Sequence, residues 1–203
     1  MALTGAPPAG DRRLSELLVD LAGRAGQRIS LGTLADTIGE RSFAALMILF
    51  AAPNLIPMPP GASTVFGIPL LLVAAQLALG RPRVWLPEVM SRRSVDRTTF
   101  AAIARRMQPV LRRFESVARP RLWPSALAER WVGVVVVVLA IVLILPIPLG
   151  NWLPALAVIL ISFGLAERDG VWIAGGSLAA VVALGFVAAI IGSIGYALRW
   201  LIG

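Results

Sequence analysis

The apolar run that opens at Phe43 is broken at residues 57–61 by Pro-Met-Pro-Pro-Gly and resumes at once. Proline removes a backbone donor and its ring clashes with the preceding helical turn, so the first helix must end there. Gly61 permits a positive φ and a tight return. Asn54 before the break and Ser63 and Thr64 after it add polar groups to an otherwise apolar stretch.

The interruption occurs twice. At an offset of 89 residues Glu40-Arg41 falls on Glu129-Arg130, Pro57 on Pro146, Pro59 on Pro148 and Gly61 on Gly150. With two residues deleted from the second copy, Val84-Trp85 falls on Val171-Trp172. Each copy therefore reads Glu-Arg, an apolar run, Pro-x-Pro-x-Gly, a second apolar run, a charged cluster and Val-Trp.

The apolar runs are 43–56, 65–79, 131–145, 152–166 and 171–191. Only the last has the roughly 20 residues that cross a hydrocarbon core of about 30 Å. The other four, at 1.5 Å per residue, give roughly 21–24 Å of helix each. Two readings remain open: re-entrant or broken hairpins, and short tilted spanning helices joined by ordinary tight turns. In either, backbone freed by the prolines must be buried in protein or line a wet cavity. The expected consequence is that Pro57, Gly61, Pro146 and Gly150 lie close together. Asn54, Ser63, Thr64 and Asn151 then become candidate donors to an anionic head group. Together with Pro57, Pro59, Gly61, Pro146, Pro148 and Gly150 they form the candidate substrate site.

Composition narrows the chemistry. Fifty-eight per cent of the 203 residues are hydrophobic, cysteine and histidine are absent, and the net charge is +8, all of the basic residues being arginine. Thiolate sites and the commonest general base are excluded. The acids that remain within or beside the repeats are Glu40, Glu129, Glu167 and Asp169. These, with Arg41, Arg130 and Arg168, read as interfacial charge pairs and helix ends. No metal site, cofactor or enzyme activity is expected. A magnesium ion wants six oxygens, and Glu167 and Asp169 supply only two close carboxylates.

Five segments follow. Residues 1–40 form an N-terminal interfacial segment of two short amphipathic helices. A faint helix-turn-helix flavour at 30–42 lacks a second recognition helix, so no nucleic-acid role is assigned. Residues 41–86 and 129–172 are the two membrane repeats, and 173–203 is a C-terminal transmembrane helix. Between the repeats, 87–128 is a basic segment. The 81–130 stretch holds twelve arginines against four acids, and from Val95 to Val117 a helical apolar stripe runs through Phe100, Ile103, Met107, Val110, Leu111, Phe114 and Val117. That is the pattern of a basic interfacial helix. Arginine placement puts this stretch and the N-terminus in the cytoplasm and makes the halves parallel repeats about an axis along the membrane normal. Gly175, Gly176, Ser177 and Gly185 prepare the last helix for close packing. The fold class is thus an all-α polytopic membrane protein.

The segments "LFAAPNLIPMPPGASTVFGIPLLLVAAQLALGRPRVWLP" and "LPIPLGNWLPALAVILISFGLAERDG" resemble the ExoD family of bacterial inner-membrane proteins, over about residues 14 to 200. The resemblance implies a part in exopolysaccharide synthesis or export, in the inner membrane, and implies no catalytic residue set. Two functions compete. One is handling or transport of an anionic lipid-linked or amphiphilic substrate, such as a polyprenyl-phosphate carrier. The other is a non-catalytic scaffold or regulator of a membrane polysaccharide synthase. Expected partners are the lipid bilayer, anionic lipids, exopolysaccharide assembly proteins and a second copy of the chain.

Overall fold

The computed structural model describes Gly23, 28–30, Gly32, 41–56, 61–91, 94–96, Arg105, Pro109, 126–145 and 150–202. The fold is predominantly helical. Helix α1 spans Ser42–Ala51 and passes into a 3-10 turn, Ala52–Leu55. Helix α2 spans Ala62–Ala78, α3 Ala126–Ile144, α4 Trp152–Ala166 and α5 Gly170–Ile202. A single helical turn, Glu88–Ser91, follows α2.

The helix limits follow from local chemistry. Pro53 sits in the first turn of the 3-10 segment, where its missing N–H costs least. Gly61 precedes α2 with φ +88°, the left-handed conformation that glycine adopts without steric cost. Asp169 precedes α5 and accepts the backbone N–H of Val171 through Oδ1 at 2.9 Å, a side-chain cap on the longest helix.

The first four helices pack in a ring. Helix α2 lies antiparallel against α3: Gly67 meets Ile144 at one end of the pair, and Gly133 meets Ala78 at the other. Helix α1 lies antiparallel against α4, with Arg41 at its start reaching Glu167 just past the end of α4. Helix α5 then folds back on α4, with Gly164 against Ile173 and Gly176 against Ile161. Leu46, Met47, Leu70, Val73, Val136, Leu139, Leu143, Val158 and Ile161 fill the centre and are almost fully buried.

The outer faces are apolar as well. Val65, Ile68, Val134, Val138, Ile141, Leu178, Val181, Val182 and Ile191 are all exposed. Helix α5 is long and apolar enough over Gly170–Ala197 to cross a membrane, and little of that stretch is buried against the rest of the chain.

Three features depart from the sequence reading. Arg28–Ser30 and Ser94–Asp96 form a two-stranded antiparallel ladder, pairing Arg28 with Asp96, Ile29 with Val95 and Ser30 with Ser94. The ladder takes the residues at which the basic helix was expected to begin; Arg105 and Pro109 beyond it are helical and exposed. The last helix starts at Gly170, so Val171 and Trp172 lie in its first turn, whereas Val84 and Trp85 lie in irregular chain. Of the small residues in α5, Gly176 meets a neighbour closely, and Gly175 and Gly185 face open space.

Candidate functional site

The chain interruptions after α1 and after α3 lie at the same end of the ring. Thr64, in the first turn of α2, donates its hydroxyl to the carbonyl of Ile144, the last residue of α3, at 2.9 Å. Helix α1 runs antiparallel to α4, which brings the 3-10 turn to the end where α4 begins. Pro57, Pro59, Pro146 and Pro148 lie outside the described residues. Gly61 is exposed and Gly150 buried. The left-handed φ expected of the motif glycine occurs at Gly61.

The two asparagines do related work from opposite sides of the interruptions. Asn54 donates Nδ2 to Phe50 O at 3.2 Å. Asn151 reaches back and donates Nδ2 to Leu143 O and Leu145 O at 3.4 and 3.3 Å. The last carbonyls of a helix lack intrahelical partners, and each amide serves carbonyls of the helix that precedes its break. Both Oδ1 atoms are buried, and neither has a donor among the described residues. Ser63, in the first turn of α2, is buried. The amide and hydroxyl donors expected to face a ligand at Asn54, Thr64 and Asn151 are therefore engaged on backbone carbonyls.

The charged residues gather at the opposite end. Arg41 Nη1 lies 3.4 Å from Glu167 Oε1, both side chains largely shielded. Arg168, exposed, takes a positive φ of 53° between Glu167 and the fully buried Asp169. Arg130 lays its guanidinium against Gly80. Glu129 stands half-buried in the first turn of α3, and Glu40 lies outside the described residues. Among the described residues no group of three acids gathers as a metal site.

Sequence reasoning passed over Gln76. Its side chain is buried in α2 and clamps the backbone of Trp85: Oε1 accepts Trp85 N–H at 2.7 Å, and Nε2 donates to Trp85 O at 2.9 Å and to Leu72 O at 3.1 Å. The signal was present, since Gln76 is the one hydrogen-bonding side chain between Val65 and Gly80. In the second half the positions 87 residues on are Phe163 and Trp172, whose rings meet edge to face with centroids 5.4 Å apart.

These features define a helical protein with apolar outer faces, one polar end that carries no charge among the described residues, and one charged end. The chain belongs to the ExoD family of exopolysaccharide synthesis proteins, whose model matches residues 14–189. It is 35% identical over 173 residues to protein ExoD of Rhizobium meliloti, covering 81% of this chain and 72% of that one. It is 32% identical over 161 residues to an uncharacterized protein of Synechocystis, covering 77% and 76% of the two chains. No solved structure matches.

Proposed function

We propose that this ExoD-family chain is a multi-pass protein of the bacterial inner membrane that serves exopolysaccharide synthesis or export by handling an anionic, lipid-linked amphiphile, without catalysing a reaction itself. The observation that carries the reading is that the helix ends flanking both chain interruptions, each with an asparagine whose Oδ1 is buried, lie at one end of a ring of helices with apolar outer faces. Soluble monomers rarely leave contiguous apolar faces of this extent open to water. Backbone interrupted at membrane depth is tolerated where it is held within protein or lines a cavity, and in many transporters such interruptions build the binding site.

The duplicated hairpin belongs to the same proposal. Arg41 and Arg130 correspond at the offset of 89, and Gly80 and Glu167 at 87. The contacts Arg41–Glu167 and Arg130–Gly80 are then one contact made twice. The α1–α4 and α2–α3 pairings exchange under the same correspondence. A pseudo-two-fold axis running along the helices accounts for both. The net charge of +8, concentrated in 81–130, suits a cytoplasmic face that attracts anionic lipids and carrier phosphates.

The test is reconstitution of the purified chain in liposomes that carry a fluorescent polyprenyl-phosphate analogue, with accessibility to a membrane-impermeant quencher as readout. Handling predicts that the analogue becomes accessible from the opposite leaflet faster than in protein-free liposomes. Transfer no faster than that background overturns the handling reading and leaves a scaffold of the synthase machinery.

A further inference from the structure

The uncharged end of the ring has an unmatched set of hydrogen-bonding groups. Asn54 is 5% exposed, and its Oδ1, like that of Asn151, is buried without a donor among the described residues. The amide orientations are fixed by their surroundings. Turning either one over would press its oxygen against Phe50 O, or against Leu143 O and Leu145 O, acceptor facing acceptor. Both orphans are therefore acceptors. Donors stand nearby: α2 and α4 begin at this end, and neither receives a side-chain cap on its first-turn N–H groups.

Among the described residues charge is missing from this neighbourhood. No Asp, Glu, Lys or Arg occurs between Arg41 and Arg81, or between Arg130 and Glu167. Helices α1 and α3 end here while α2 and α4 begin here, so macrodipole ends of opposite sign offset one another. An ion bound at this place would give up its hydration with no opposite charge to replace it. A neutral group that both donates and accepts hydrogen bonds meets the set without that penalty, and hydroxyl groups do both.

We propose that this end of the ring is a binding site for the neutral glycosyl part of a lipid-linked sugar, with Asn54 Oδ1 and Asn151 Oδ1 accepting from sugar hydroxyls. The inference rests on the handling function above and narrows it: hydroxyls, not phosphate, are recognised between the hairpins.

The experiment uses the full chain in nanodiscs of neutral phospholipid, with empty nanodiscs as background. The probes are tritiated octyl glycosides of several hexoses below their micellar concentration. The expected result is saturable binding of at least one glycoside. Octyl phosphate should fail to compete, and so should the same glycoside with every hydroxyl methylated, which keeps the oxygens and loses the donors. The Asn54→Leu, Asn151→Leu double variant should bind at least tenfold more weakly. The methylated probe keeps the proposal falsifiable on the wild-type chain even if that variant does not fold. Equal competition by the methylated glycoside overturns the proposal. So does displacement by millimolar sodium or potassium, which marks a cation site. Absence of saturable glycoside binding also overturns it. Preference for octyl phosphate overturns it while leaving the handling of an anionic carrier intact. Liposome transfer without glycoside binding refutes this site alone, whereas glycoside binding without transfer refutes the handling function alone.

Discussion

Thr64 and Ile144 are eighty positions apart in the chain, and the hydroxyl of one donates to the backbone carbonyl of the other at 2.9 Å. The bond joins the first turn of α2 to the last residue of α3. It satisfies a carbonyl that a helix terminus leaves without an intrahelical partner. Replacing Thr64 with valine keeps the shape and removes the donor. The expected loss is about 1–3 kcal/mol, because a shielded carbonyl is left unpaired. Thermal unfolding of the purified chain in detergent measures it, and an unchanged midpoint would show that solvent reaches Ile144 O.

The α2–α3 contact also depends on Gly133. A Cβ placed there would meet the backbone of Ala78 and Leu77, and backbone cannot step aside as a flexible side chain can. Gly133→Leu should cost at least the roughly 1–3 kcal/mol typical of overpacking. Gly175 in α5 faces open space, and Gly175→Ala should be neutral, or stabilising by up to about 1 kcal/mol through helix propensity. Comparable losses in both variants would mean that α5 packs as tightly as α3 does.

Arg41 and Glu167 tie the start of α1 to the end of α4. Their shielding lies between two regimes: exposed pairs contribute about 0–1 kcal/mol, and breaking a buried pair costs about 3–5 kcal/mol. The losses from Arg41→Gln and Glu167→Gln should not add, and the double replacement should cost less than their sum, since each single change removes the same pair. A double-mutant cycle that returns zero coupling would assign the two residues independent roles.

Gln76 has a different task from the charged residues near it. It holds both backbone groups of Trp85, which fixes the chain as it leaves α2. Gln76→Leu leaves that N–H and that carbonyl without partners, at about 1–3 kcal/mol for each one kept from solvent. Glutamate should rescue only half of the clamp, because it accepts from Trp85 N–H and cannot donate to Trp85 O. Hydrogen exchange at the Trp85 amide distinguishes the two variants: fast in leucine, slow in glutamate.

Topology can be read on a chain that contains no native cysteine. Under the proposed orientation the twelve arginines in 81–130 lie in the cytoplasm. Ser94→Cys should therefore resist an impermeant thiol reagent added outside intact cells and react once the membrane is opened. Labelling from outside would invert the proposed orientation.

The sequence by itself determined that each apolar stretch is interrupted, although α1 gives way to its 3-10 turn at Ala52, ahead of Pro57. Proline and glycine at 57–61 and 146–150 act on their own neighbours through φ, a missing donor and a ring clash, so their effect is legible without a partner. It also determined that charge is absent between Arg41 and Arg81 and returns at Glu167-Arg168-Asp169. The tertiary structure decided what those interruptions face. That Asn54 and Asn151 turn their N–H groups onto helix-end carbonyls and leave their oxygens unmatched follows from the positions of Phe50, Leu143 and Leu145 in space. That Arg41 meets Glu167, 126 positions along the chain, follows from α1 lying against α4. The ladder between Arg28–Ser30 and Ser94–Asp96 joins segments some sixty residues apart, and no period within either segment announces it. Periodicity and propensity are properties of a short stretch of chain. Which donor meets which acceptor across such separations is set only when the helices pack.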